Sequence, residues 1–466
     1  MHQRGHGAVP VGTAMRINGP ANVFPRFASP GHRHIHIPKQ FCSVLLCVLC
    51  GLIPLAARAE LRAGAARVSI TPDPVKLPYT LGGYGDMKRF KTKATGVHDT
   101  CYARALVLEN GGTKCAMVSL DLCFLPANVK DAVVSRLGPT SIPANAIFLS
   151  ATHSHSAPDP LLMHSGNRGP AGELPRFDQA LLDFTADRIA QAVTEADSKL
   201  APAQVGSGQK SGIGLNRNRR GEKITDDEMT ALKVTDPNGK TIAAVIDYAA
   251  HPVYYGAEMM EVSGDWVGCF EREMEAVTPG AVVLFINGAE GDASPNGSDA
   301  GTNSEKIQIY AAKLMEPTRA LLGSITTEPN PKLSAWVQST TLPVRSPHPL
   351  FLLAAASLKA TPDQAKALVN QLMPEKVDVC FLRIRDALFI CVPGEPTTPV
   401  GLAAKEMARQ EGVKHPAIVA LTNGWIGYLV TAEQYKAGKY EPTMSFYGPG
   451  IGNAILAGIQ AGLKRL

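Results

Sequence analysis

Beyond residue 60 the chain alternates short apolar runs with longer stretches of helical spacing. "ARALVLEN" (103–110), "KCAMVSLDL" (114–122), "AIFLS" (146–150), "TIAAVIDYAA" (241–250), "AVVLFING" (281–288), "ALFICVPGE" (387–395) and "AIVALTNG" (417–424) are rich in Val, Ile, Leu and Ala. Continuous apolar runs of this length predict strands buried on both faces. Between them, 177–196, 304–323 and 398–410 carry apolar residues at helical spacing, and 361–373 opens with a Thr cap, a Pro and an acid, the start signal of a helix. "KLSAWVQSTTLPV" (332–344) predicts an added antiparallel edge strand. Strands alternating with helices predict an α/β fold, a layered mixed β-sheet core flanked by helices. One domain over 60–466 accounts for the pattern, with room for a sub-lobe from about 325, where Pro and polar residues become more frequent. No sequence repeat is evident.

The first 59 residues differ from the rest. A basic segment without a single acid leads into "FCSVLLCVLCGLIPLAARAE", an apolar run closed by the small residues Ala57 and Ala59. This is the pattern of a secretory signal with cleavage after Ala59; the run is short for a membrane span and no second one follows. The long basic lead would shorten to an ordinary one if translation started at Met15. The expected location is outside the cytoplasm, periplasmic or released. Removing the signal changes the charge: taking its six basic residues from 46 leaves 40, against 41 acidic ones. The formal charge of +5 therefore gives no argument for nucleic-acid binding. Six cysteines remain, Cys101, Cys115, Cys123, Cys269, Cys380 and Cys391, with no CxxC among them. Export permits disulfides, and their apolar surroundings equally suit buried thiols.

Candidate chemistry collects just past the carboxyl ends of the apolar runs, where open α/β sheets place ligand sites. "AIFLS" leads to His153 and His155, "AVIDYAA" to His251, "VVLFINGAEGD" to Asp292 and Ser294, "LFICVPG" to Glu395, and "AIVALTNG" to Tyr428. Imidazoles, a carboxylate and a further oxygen form a donor set suited to zinc, with one position open for water or substrate. Any lone histidine also reads as a hydrogen-bonded core or surface residue. The doublet in "SATHSHSAP" argues otherwise, since residues two apart in extended chain share a face. "NGAEGDASPNG" reads as a tight strand exit, or as a site in which Ser294 is activated by a metal or a neighbouring base. It is not a GxSxG elbow. Glu395 in "PGEPTT" is equally read as a helix N-terminal acid.

"GAARVSITP", "GGYGD", "GVHDTCYARALVLENG", "SLDLC", "SATHSHSAP", "AAHPV", "GDASPN", "PGEPTT" and "GYLVTAEQYKAGKYE" follow one another in the order found in the neutral/alkaline non-lysosomal ceramidase family, which the chain resembles from about residue 62 onward. The resemblance implies the catalytic-domain fold of that family without its C-terminal immunoglobulin-like domain. It implies one zinc ion per chain, held by His153, His251, Glu395 and Tyr428, with His155 beside the metal for proton transfer or substrate bonding. It also implies a catalytic Ser294 with Asp292 in the same motif, an Asn216–Arg217 pair for polar substrate or oxyanion contacts, and Tyr440 at the substrate. The implied reaction is hydrolysis of an N-acyl amide, ceramide to sphingosine and fatty acid. The doublet here is followed by Ala-Pro-Asp-Pro where the family has a glycine-rich continuation, so the substrate pocket is where this chain departs.

Two other functions fit the residues: the same scaffold acting on a different exported amide or ester, and an inactive lipid- or glycan-binding protein. The first predicts a shallow or polar pocket, the second a missing ligand. The expected partners are a small lipid or other N-acyl amide and, transiently, a membrane surface; neither nucleic acid nor an obligate protein partner is expected.

Overall fold

Three sheets carry the apolar runs. The first holds β1 (Arg62–Ser69), β2 (Tyr102–Asn110), β3 (Thr113–Leu120) and β4 (Ile147–Ala151), with Ala201–Pro202 on its edge. The second holds β5 (Gln204–Lys210), β6 (Met229–Thr235), β7 (Thr241–Tyr248) and β8 (Val282–Asn287). The third holds β9 (Leu333–Thr341), β10 (Lys376–Ile384), β11 (Ala387–Cys391) and β12 (His415–Val419). This is a computed structural model that describes residues 60–168, 174–297 and 300–466, which fall within one compact unit; the expected signal segment and its cleavage position lie outside them.

Each sheet is built the same way: its first three strands run antiparallel and its last strand is parallel to the third. A parallel neighbour requires a crossover, which a helix usually makes. Here α1 (Ala127–Val134) joins β3 to β4. Further along the chain come α2 (Gln179–Ser198), α3 (Asp265–Val277), which joins β7 to β8, and α4 (Asn303–Ser324). They are followed by α5 (Pro349–Ala354), α6 (Pro362–Leu372), α7 (Thr398–Gln410), which joins β11 to β12, and α8 (Ile451–Leu463). The same connectivity thus recurs three times without a sequence repeat. The expected antiparallel edge strand is present as β9, which among the described residues pairs with β10 alone.

The parallel pairs are the most apolar strands because both of their faces are covered. Phe148 on β4, Phe285 on β8 and Phe389 on β11 are fully buried, and truncating any one to Ala would cost about 3–5 kcal/mol. Their carboxyl ends meet. Ala151 N donates to Leu421 O (3.2 Å) and Ala420 N to Asn287 O (2.9 Å), which joins the ends of β4, β8 and β12.

Candidate metal centre

Past β4 the backbone turns sharply at His153, whose φ of 78° lies in the left-handed region that bulky side chains seldom adopt. Such strain persists only where the surroundings fix it. Thr152 N donates to Leu120 O (2.8 Å) and His153 N to Leu122 O (2.9 Å), so the exit of β3 holds the turn. The two histidines therefore converge for a reason other than strand alternation: both lie beyond the strand, and the turn sets their rings edge to face, centroids 4.6 Å apart. Their Nε2 atoms are 3.2 Å apart.

Backbone carbonyls orient the rings. His153 Nδ1 donates to Cys123 O (2.6 Å), and His251 Nδ1 to Glu290 O (2.8 Å). A carbonyl can only accept, so each Nδ1 carries a proton, and in the neutral ring each Nε2 presents a lone pair. His153 Nε2 lies 3.3 Å and His251 Nε2 3.7 Å from Glu395 Oε2. Tyr428 OH is 3.3 Å from His251 Nε2. A short parallel ladder pairs Glu395 with Tyr428, which places their side chains together. Glu395 Oε1 accepts from Trp425 Nε1 (2.8 Å), while Oε2 is buried without a donor.

Supporting residues fix this arrangement. Asn287, fully buried at the end of β8, donates through Nδ2 to Thr152 O (3.0 Å) and Ala250 O (3.1 Å), the residues preceding both histidine ligand candidates. Buried Arg89 donates to the His155 carbonyl and to Met259 O. Gly83 (φ 93°) admits His155, since a Cβ there would stand 2.5 Å from its ring. Arg219 Nη2 donates to Tyr428 OH (3.0 Å) and Gly291 O (2.7 Å), and its Nε to Glu441 (2.8 Å).

Electrostatics match the geometry. Burial pushes His155 well down, helped by His153 and His251, and pushes His251 to about 3, helped by Arg219 and His153. Burial also opposes charge on His153, but the Glu395 carboxylate outweighs it and holds that imidazole well above its ordinary value. Glu395, raised by burial and lowered more by His153, stays well below the usual carboxylate range. Without an ion, the His153 imidazolium is the cation that accompanies Glu395 Oε2, 3.3 Å away; with both rings neutral, an anionic oxygen buried there is costly unless another cation takes that place. His153, His251 and Glu395 offer one ligand atom each within 4.8 Å of one another, and Tyr428 OH adjoins them. These residues fit a metal ion.

A cavity of about 450 Å³ opens from this group. His153, His155, Glu395, Tyr428 and Tyr440 line its polar end, and Phe124, Phe351, Leu368, Trp425 and Phe446 its apolar body. Asp159, from the Ala-Pro-Asp-Pro segment, also lines it. Burial raises the Asp159 carboxyl from 3.8 to about 6 against the opposing Leu161 N–H and Arg89. A carboxyl raised on folding contributes stability that is present below its unfolded value and lost as pH rises through its folded value. In the metal-free protein Asp159→Asn is thus expected to leave stability at about pH 3 unchanged and to add about 2 kcal/mol at about pH 7.5. Denaturant unfolding at the two pH values measures it; equal effects at both would refute the shift.

Other sequence candidates do not reach the cavity lining. Ser294 sits on the short strand Ala293–Pro295, opposite Arg217 of Asn216–Asn218. Arg217 is exposed. Asn216 donates to Asp226 O (2.6 Å) and Ala249 O (2.8 Å). Asp292 accepts from Thr398 N (2.7 Å), Thr398 Oγ1 (2.6 Å) and Asn218 Nδ2 (3.0 Å), so it ties this turn to the start of α7. The arginine that meets Tyr428 is Arg219, two residues beyond the expected one. Asn287 heads "NGAEGDASPNG" and Cys123 closes "SLDLC", but neither motif marks the residue's part at the site, and nothing in the sequence marks Arg89 or Arg219.

Among known proteins, residues 62–316 match the family model described as neutral/alkaline non-lysosomal ceramidase, N-terminal. The chain is 24% identical to neutral ceramidase B of Dictyostelium discoideum over 76% of its own length and 66% of that protein's. It is 23% identical to the neutral ceramidase of Pseudomonas aeruginosa, over 88% of its own length and 73% of the relative's. It thus spans about two thirds to three quarters of these relatives. The crystal structure of the neutral ceramidase from Pseudomonas aeruginosa superposes with a TM-score of 0.74 at 20% identity, over 88% of this chain and 75% of that one.

Proposed function

The chain belongs to the neutral/alkaline non-lysosomal ceramidase family, and from that premise we propose that it is a zinc-dependent hydrolase of N-acyl amides, with ceramide as the substrate. The observation that carries this reading is the cavity of about 450 Å³, lined mostly by apolar side chains together with His153, Glu395 and Tyr428. An acyl chain fits the apolar end and its amide then lies at the polar end. A shallow or polar pocket, as a different substrate class would require, is not what the lining offers.

His153, His251, Glu395 and Tyr428 would hold the zinc ion. When bound, zinc supplies Lewis-acid polarisation of the amide carbonyl and a water acidic enough to react near neutral pH. His155, buried and kept neutral, has a free Nδ1; it can take a proton there and return it to the leaving amine. Arg219 donates to Tyr428 OH, so the phenol proton is free to point away from the guanidinium, toward charge developing on the carbonyl oxygen. Ser294 stays a candidate catalytic residue, next in the chain to Ala293, whose carbonyl accepts from His251 N. The exposed Leu353 on α5, whose neighbours Leu350, Phe351 and Ala354 line the cavity, supports transient contact with a lipid surface. The basic and apolar leader supports a periplasmic or released enzyme.

Metal content of the purified protein and hydrolysis of a fluorescent N-acyl sphingosine test the reading together. About one zinc per chain with turnover is the expected result; turnover at full rate after the metal is stripped would overturn it. The two arginines give a second check. Arg219→Met is expected to lower kcat/KM by roughly 10²- to 10³-fold, as for loss of a preorganised donor, whereas Arg217→Ala should stay within about twofold, as for an exposed residue. The reverse order would move the site back to Arg217.

A further inference from the structure

Cys123 belongs with His153 to a second group of possible ligand atoms, which includes neither His251 nor Glu395. Its thiol is buried, lines the cavity, and lies 3.8 Å from His153 Nδ1. The sulfur and one nitrogen each of His153 and His155 fall within 4.8 Å of one another. His155, 7% exposed, has no partner at Nδ1, and the adjoining Asp159, 2% exposed, has none at Oδ2. The 3.2 Å between the histidine Nε2 atoms is close to the separation of two imidazoles on one tetrahedral ion, whose metal–nitrogen bonds are about 2.0–2.1 Å.

We propose that Cys123, His153 and His155 form a second, thiolate-containing metal site that shares His153 with the hydrolytic group, so that a thiophilic divalent ion bound there shuts the hydrolytic site. Soft ions prefer the sulfur-bearing group and zinc is accommodated by the nitrogen–oxygen one. As the metal–sulfur bond forms, the thiol proton passes to solvent. The ion takes His153 from the hydrolytic group and His155 from the substrate, so both losses occur in one step. The inference rests on the assignment of His153 to a hydrolytic ion. Its test is read without turnover, so failure of the amide reading leaves it standing.

The test is titration of the metal-free protein with cadmium, following the ultraviolet absorption of a cadmium–thiolate bond. The band is expected in the wild-type protein and in His251→Ala, and its loss is expected in Cys123→Ser and Cys123→Ala, each checked for folding by circular dichroism. In the zinc-loaded protein, cadmium should release zinc at concentrations at least about tenfold lower for wild type than for Cys123→Ser, since even an outer partner of a metal site is worth that much. A wild-type protein without the band, or a band that survives in both Cys123 variants, would overturn the site. Loss of the band in His251→Ala would also overturn it, because sulfur would then belong to the hydrolytic ion.

Discussion

His251→Ala is expected to yield a folded protein that holds no zinc and hydrolyses its amide at least about a thousandfold more slowly. The residue belongs to one group of ligand atoms only, and its backbone has ordinary geometry, unlike His153 at φ 78°. Its surroundings are kept by main-chain atoms that the substitution leaves in place: His251 N donates to Ala293 O (3.0 Å), and Trp266 Nε1 donates to His251 O (3.1 Å). What disappears is one imidazole lone pair beside Glu395 Oε2. Lewis-acid stabilisation of the reacting carbonyl is worth several kcal/mol, and each 1.36 kcal/mol is a factor of about ten in rate. Mass-spectrometric metal content and kcat/KM on the same preparation decide the matter. Zinc retained at wild-type stoichiometry with unchanged rate would remove His251 from the ligand set.

Much of this site was legible because strand ends were. The apolar runs are conspicuous where both faces of a strand are covered, which is the case for the parallel pairs β3–β4, β7–β8 and β11–β12. Their carboxyl ends carry Cys123, His153, His251, Glu290, Glu395 and Tyr428, so reading past each run finds most of the cluster. Strands such as β5, "QVGSGQK", are interrupted by Gly, Ser and Gln and carry no comparable signal. The threefold connectivity was also hidden, because what recurs is a pairing order and not a residue pattern. "NRNRR" offers three arginines, and the sequence does not tell them apart: in the fold Arg217 is exposed, Arg219 reaches Tyr428 and Arg220 is buried against Glu441. Asn287 and Arg89 act on main-chain oxygens far away in sequence, at Thr152 and His155. A contact with a carbonyl is indifferent to the partner's side chain, so no motif records it.

Filling the cavity should change which amide is hydrolysed more than whether one is. Ala365 on α6 is buried and lines the cavity, in one apolar cluster with Phe351 of α5. In Ala365→Phe the new ring occupies space that an acyl chain would otherwise fill, while Glu395 and the histidines keep their neighbours. Burying one methylene contributes about 0.8 kcal/mol, so excluding six forfeits at most roughly 5 kcal/mol of binding. Part of that is never realised, because ordering a flexible chain has its own cost. A drop of about a hundredfold in kcat/KM for a long-chain N-acyl sphingosine is therefore expected, with an N-acetyl analogue changed by no more than about threefold and metal content unchanged. The added ring also strains its surroundings by about 1–3 kcal/mol, so Val369→Phe on the same helix serves as a second variant. Equal losses for long and short chains in both variants would mean that the acyl chain lies elsewhere. Selective loss for the long chain would fix the direction in which substrate enters, with its tail toward α5 and α6 and its amide at His153, His155 and Tyr428.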